Sequence, residues 1–278
     1  MFSLILSILS STLIALILRV GSARVPDPLG MLLANYLVCT GLGVFYTDFQ
    51  IYLPQAAGYF PMLGMSLLNG AIYLGAFVMY QKVTLKSGIV LSSIFMKLGL
   101  LVPMVLSVFL FREYPNGVQI LGFVLAVASI FLINYSKDAA KTSLSLGLIL
   151  LLLLGGSADA MSKVYQVLGA AALSNQFLFF TYGTAMVLCG GLMILRKGQF
   201  GWQECLYGGL IGIPNFFCTK FMLAALNTVP AVVAYPTFSV STMLLVTLVG
   251  IGLFREKLNK HQWCALGIIL ISLALLNL

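Results

Sequence analysis

The chain has 278 residues, 61% of them hydrophobic and only 8% charged. Its mean hydropathy is +1.07, whereas ordinary globular domains carry roughly 45–50% apolar and about 25% charged residues. So few charges cannot cover a water-facing surface, which excludes a soluble globular protein. The net charge of +8 fits basic loops on the cytoplasmic side of a membrane, and no basic run interleaved with aromatics points to nucleic acid.

Apolar stretches of about 18 residues or more recur along the chain, so the spans are read as helices rather than barrel strands. The first is expected over Phe2–Leu18; its start lacks the positive segment of a secretory signal, so it is read as a retained span. Pro26-Asp27-Pro28 marks a turn into the second helix, Leu29–Tyr46. A longer connection, Thr47–Pro61, leads to the third, Met62–Tyr80. The fourth spans Gly88–Phe111 and the fifth Gly117–Tyr135, followed by a linker with Lys137, Asp138 and Lys141. The sixth to tenth are expected over Leu144–Val164, Asn175–Leu195, Trp202–Leu226, Ala231–Phe254 and Gln262–Leu276.

The chain states one pattern twice. Phe111, Arg112, Glu113, Asn116 and Gln119 return, 143 residues on, as Phe254, Arg255, Glu256, Asn259 and Gln262. In the same register Met79, Phe95, Ser129 and Asn134 meet Met222, Phe238, Ser272 and Asn277. The organisation is therefore two five-helix repeats, residues 1–136 and 143–278. An odd number of spans per copy makes the second enter the membrane from the opposite side, an inverted 5+5 repeat of ten transmembrane helices in an all-α polytopic membrane protein. Eleven basic residues fall in odd-numbered connections and two, Arg112 and Lys163, in even ones. By the positive-inside rule this puts both termini outside.

A charge near mid-membrane costs roughly 2.5–3.5 kcal/mol on insertion scales and so faces a cavity or a partner. Lys97, Asp159 and Lys220 are such charges. Lys97 reads either as a structural pair with Asp159 or as a substrate or coupling residue. Asp159 follows Gly155-Gly156-Ser157-Ala158, small residues that permit close helix approach; it is either a coupling carboxylate or an ion-pair partner of Lys163, one turn on. Lys220 lies nearer its helix end and can snorkel to the interface. Pro103, Pro214 and Pro236 are expected to break or interrupt the fourth, eighth and ninth helices, because proline frees a carbonyl four residues back. Asn35, Tyr36, Asn69, Tyr73, Asn215, Tyr235 and Ser239 are candidate cavity residues. Lys97 and Lys220 would attract an anionic group, and Tyr36, Tyr73 and Tyr235 would pack an apolar part. Arg112 and Arg255 at helix C-termini, with Glu113 and Glu256 before the following N-termini, suit the helix dipoles and are read as structural anchors.

Five unpaired-looking cysteines and a single histidine, His261, leave no expected metal site, cofactor or catalytic residue. No Gly-rich Lys-Ser/Thr loop suggests direct ATP drive, and an enzyme is not expected. The expected partners are a small-molecule substrate and the lipid bilayer, with no nucleic acid; a homodimer is compatible with the sequence.

Ten helices in two inverted fives, with Phe-Arg-Glu closing the fourth and ninth, resemble the EamA-like transporters of the drug/metabolite transporter (DMT) superfamily. Glu113, Gln119 and Gly122, with Glu256, Gln262 and Gly267, match that family's turn and following helix. Arg112 and Arg255 stand where family members often have Gly, and the usual mid-helix proline of the ninth helix is displaced to Pro236. The resemblance implies alternating access through a cavity lined by helices one to four and six to nine, with helices five and ten peripheral. It also implies termini in the cytoplasm, opposite to the loop charges. Family substrates include amino acids, sugars, nucleotide derivatives and drugs. The expected function is a secondary-active carrier of a small polar metabolite in the cytoplasmic membrane, the alternative being a lipid flippase or facilitative exchanger of the same fold.

Overall fold

The computed structural model describes residues 1–21, 24–87, 89–133, 146–254 and 260–278. Among these the regular elements are all helical. They are α1 (Phe2–Gly21), α2 (Pro28–Tyr46), α3 (Tyr59–Ser87), α4 (Ile89–Leu98), α5 (Leu101–Phe111) and α6 (Gly117–Ile133). After them come α7 (Leu146–Leu168), a short turn at Ala171–Leu173, α8 (Ser174–Arg196), α9 (Trp202–Ala225), α10 (Ala231–Phe254) and α11 (Lys260–Leu276). Among the described residues eight stretches are long and apolar enough to cross a membrane, with Ser92–Phe111 taken as one span; Gly117–Leu132 and Lys260–Leu276 are shorter apolar helices. The protein is an all-α polytopic membrane protein. Its repeat is visible in the helix ends: moving the bounds of α6 by 143 residues gives the bounds of α11, and moving Phe111 gives Phe254, the last residue of α10. Arg255, Glu256 and the linker residues Lys137, Asp138 and Lys141 lie outside the described residues.

The prolines act differently from one another. The fourth predicted helix divides at Gly99–Leu100, between α4 and α5. Pro103 has no N–H to give the Gly99 carbonyl, and that oxygen accepts from the Val102 N–H instead, at 2.9 Å. Pro214 and Pro236 do not interrupt their helices; α9 and α10 run on through them. One lost bond leaves the rest of the ladder intact, so a packed helix bends at proline more readily than it ends.

The repeated motif is a turn with a role for each residue. Arg112 closes α5 in the left-handed region, φ 56° and ψ 33°. There a Cβ is strained and glycine is not, which accounts physically for the glycine of the resembling family. Asn116 and Gln119 form a reciprocal cap on α6. The Gln119 N–H donates to Asn116 Oδ1 at 2.7 Å, and the Asn116 N–H donates to Gln119 Oε1 at 3.1 Å. Replacing the exposed Arg112 by Gly should therefore raise stability by about 0.5 kcal/mol. Thermal melting in detergent checks this, and a lowered midpoint would refute strain at this position.

By contact the chain forms two compact units, and each draws on both sequence halves. The first comprises Gly75–Lys163 and Ala225–Leu278, the second Phe2–Leu74 and Val164–Ala224. The core of the first unit gathers Ile94 and Leu98 of α4, Ala126 and Ile130 of α6, Val240 of α10 and Ile269 of α11. Here α6 packs on its repeat mate α11, and the Ser272 hydroxyl donates to the Gly122 carbonyl at 2.8 Å. In the same unit α7 presses its backbone onto the α4–α5 break: a Cβ at Gly99 would stand 2.9 Å from the Gly156 nitrogen, and one at Gly156 would strike the Gly99 carbonyl oxygen.

The second unit is tied at one end by a carboxylate clamp. Asp27 caps α2 by accepting from the Leu29 N–H at 2.9 Å, with Pro28 in the first turn, and also accepts from the Gln199 N–H at 2.9 Å. Glu204, buried in the first turn of α9, accepts from the Asp27 and Gly201 N–H groups at 3.2 and 3.0 Å. Arg24 donates to the Tyr207 hydroxyl at 2.7 Å.

Candidate functional site

The candidate residues separate into two groups, one in each unit. In the first unit the contact of Gly156 with Gly99 brings Lys97, two residues before the break, near Asp159, three residues after Gly156. Lys97 lies within electrostatic reach of the Asp159 carboxylate. The Asp159 side chain keeps accessible surface. Tyr235 of α10 donates its hydroxyl to the Asp159 backbone carbonyl at 2.6 Å, which pins α10 to α7 beside the carboxylate. Ser239, one turn further along α10, is buried.

Two residues read as structural anchors or as an alternative partner take a different arrangement from the expected one. Glu113 does not serve α6, the helix it precedes. Its Oε2 accepts from the Ala231 N–H at 2.7 Å, so it caps α10, and its Oε1 pairs with the Lys163 ammonium at 2.6 Å. Lys163, one turn from Asp159, therefore has Glu113 as its close counter-charge; the ammonium also sits 5.7 Å from the Phe111 ring centre. Both side chains are largely buried, 5% exposed for Lys163 and 19% for Glu113. The interaction spans 50 residues of sequence, and the N-terminal turn of α10 offers the dipole that a carboxylate favours.

In the second unit Asn35, Tyr36, Tyr73, Asn215 and Lys220 are brought together, with Asn69 on α3 one turn before Tyr73. The Asn215 amide donates to Asn35 Oδ1 at 3.1 Å, binding α9 to α2. The Cys39 thiol donates to the Gly212 carbonyl at 3.2 Å. Tyr182 of α8 joins them: its hydroxyl lies 2.6 Å from Thr219 Oγ1 and donates to the Asn215 carbonyl at 3.3 Å. The Tyr182 ring is 6.3 Å from that of Tyr36 and 5.9 Å from that of Tyr73. Lys220 places its ammonium 3.1 Å from the centre of the Tyr46 ring, which stacks on Phe216. An ammonium over an aromatic face is a favourable cation–π contact, so this lysine is held by aromatic neighbours rather than extended as a free snorkelling chain.

Tyr182, Cys39, Thr219 and Tyr46 were not singled out from sequence. Two of them carried a usable signal, since Cys39 and Thr219 lie four residues after Asn35 and Asn215 and so on the same helix faces. Among the described residues no cluster of three metal-ligating side chains is present.

Comparison with known proteins adds the following. Residues 145–278 match the model of the EamA-like transporter family. An uncharacterised protein of Haemophilus influenzae is 23% identical over 97% of this chain and 94% of its own length. A probable 4-amino-4-deoxy-L-arabinose-phosphoundecaprenol flippase subunit ArnE of Hamiltonella defensa is 27% identical, over 37% of this chain and 96% of its own length. A crystal structure of another protein, 15% identical, superposes with a TM-score of 0.73 over 99% of this chain and 94% of that one; at that identity the likeness is one of fold.

Proposed function

We propose, on the match of residues 145–278 to the EamA-like transporter family, a secondary-active carrier that moves a small polar metabolite, such as an amino acid or sugar, across the cytoplasmic membrane by alternating access. The observation that carries this reading is the electrostatic proximity of Lys97 to Asp159 on two apolar helices, with accessible surface at Asp159. Charges at that depth are expensive, and a purely structural pair gains little over apolar packing. Lys97 takes an anionic group of the solute. Asp159 carries the coupling proton, and Tyr235 holds the backbone on which the carboxylate is mounted. The second-unit group, in which Tyr36, Tyr73 and Tyr182 adjoin Asn35 and Asn215, offers aromatic faces and amide groups for the rest of a solute.

A second reading, a lipid flippase, is favoured by the ArnE relative, which aligns over most of its own length. Counterflow into proteoliposomes, with pooled radiolabelled amino acids and sugars, separates the two. A saturable solute signal that falls at least a hundredfold in Lys97→Ala supports the carrier. Uptake left intact by both Lys97→Ala and Asp159→Ala would refute the assigned site. Protein-dependent exposure of an inner-leaflet fluorescent lipid to dithionite, with no solute signal, would favour the flippase.

A further inference from the structure

Two helix seams of the second unit correspond through the 143-residue register, and they are built differently. α9 meets α2 at Gly212, where an added Cβ would stand 2.7 Å from Val38 Cβ and 2.8 Å from the Asn35 carbonyl. α3 meets α8 at Gly70, where an added Cβ would stand 2.5 Å from the Thr181 carbonyl and 3.0 Å from the Ala185 nitrogen. The register matches Asn69 with Gly212 and Thr181 with Val38. One seam therefore has Gly and Val where the other has Asn and Thr.

In the α2–α9 seam the polar groups are paired, Asn215 with Asn35 and Cys39 with the Gly212 carbonyl. In the α3–α8 seam, Asn69 Nδ2, Asn69 Oδ1 and Thr181 Oγ1 are buried without a hydrogen-bond partner among the described residues. Asn69 is 0% exposed and Thr181 1%. Buried polar groups are almost always satisfied, and an orphan amide needs an explanation. Packing does not supply one, because the mate seam closes with Gly and Val. A second, wetter state of the seam would give these groups their partners.

We propose that the α3–α8 seam opens to water during the transport cycle, and that Asn69 and Thr181 then hydrogen-bond an uncharged hydroxyl or amide group. That group comes from water or from the carried solute, and the inference rests on the carrier reading above. Asn69 supplies both donor and acceptor, and Thr181 a hydroxyl that serves as either. The partner group is uncharged because neither α3 from Tyr59 to Leu74 nor α8 from Ser174 to Leu195 holds an acid or a base. Tyr73 and Tyr182, whose rings lie 5.9 Å apart, flank the seam. The two seams thus differ in what opening costs: the α2–α9 seam loses hydrogen bonds, and the α3–α8 seam gains them.

The test is cysteine accessibility in the full chain, reconstituted in liposomes with Cys189, Cys205, Cys218 and Cys264 replaced by Ser. Cys39, 0% exposed in the mate seam, remains as internal control. Asn69→Cys and Thr181→Cys are treated with a hydrophilic methanethiosulfonate reagent, and each site is followed by peptide mass. Modification at least tenfold faster than at Cys39 is expected. Rates at or below that of Cys39 for both variants would overturn the proposal. Slowing by L-serine, L-glutamine or D-glucose supports a solute as the partner; no slowing by any of them overturns the solute part and leaves water. If the cysteine variants fail to fold, Asn69→Gly combined with Thr181→Val copies the other seam. This double variant should melt higher than wild type, and an unchanged or lower melting temperature counts against the proposal. Labelling needs no known substrate, so its failure is distinguishable from failure of the uptake test at Lys97.

Discussion

Glu113→Gln is expected to lower the unfolding free energy by about 3 kcal/mol, the cost of removing one partner from a buried ion pair. Two interactions weaken together. The Lys163 ammonium, 5% exposed, loses its counter-charge at 2.6 Å, and the Ala231 N–H at the start of α10 loses a charged acceptor. Lys163→Met should cost about 1 kcal/mol, because Glu113 keeps its bond to α10 and the favourable helix dipole. Denaturation in mixed micelles, followed by circular dichroism, measures both. Equal losses, or a smaller loss for Glu113→Gln, would show that the carboxylate does not join α5, α7 and α10 in this way.

Gly156→Val is expected to be as damaging, by a steric route. A Cβ there would strike the Gly99 carbonyl and stand 2.5 and 2.6 Å from Val102 side-chain atoms. The first obstacle is backbone at the α4–α5 break and cannot turn aside. Overpacking of this kind costs roughly 1–3 kcal/mol or more. It also forces α7 away from α4 and so separates Lys97 from Asp159; transport should fall even where folded protein is recovered. Gly155→Ala is the control. Its Cβ would meet only the Met96 sulfur, at 2.8 Å, and a thioether chain can shift aside, so a loss below about 1 kcal/mol is expected. Similar behaviour of the two variants in melting and uptake would remove the special role of the Gly99–Gly156 contact.

Much of the scaffold was legible because membrane spans and internal repeats are properties of local sequence. Apolar length gave the helices to within a turn or two, with the largest shortfall at α3, which runs to Ser87. The identities shared by Glu113, Asn116 and Gln119 with their mates gave the register. What those residues bond to was only partly legible. Asn116 and Gln119 serve their own helix, as the spacing of a capping box allows. Glu113 reaches Ala231, 118 residues away, and nothing local in a single sequence encodes that distance. The same limit hid the Asn35–Asn215 pair, although each residue was recognised as a cavity candidate. Pro214 and Pro236 were misjudged for a different reason: the propensity to break a helix is local, whereas the packing that holds α9 and α10 together across them is not.

The way each unit borrows from both halves of the chain bears on how the protein is made. α6 ends at Ile133, and its packing partner α11 ends at Leu276. At a synthesis rate of roughly 5–20 residues per second, the intervening segment takes on the order of 10 s to emerge. During that interval α6 has no α11 to pack against, and α2 waits similarly for α8 and α9. Neither compact unit can be completed on the ribosome until the C-terminal half has been inserted. Helices α1 to α6 therefore wait in the membrane as a nascent intermediate with open interfaces, exposed to early degradation or mispairing, until α11 arrives to cover α6.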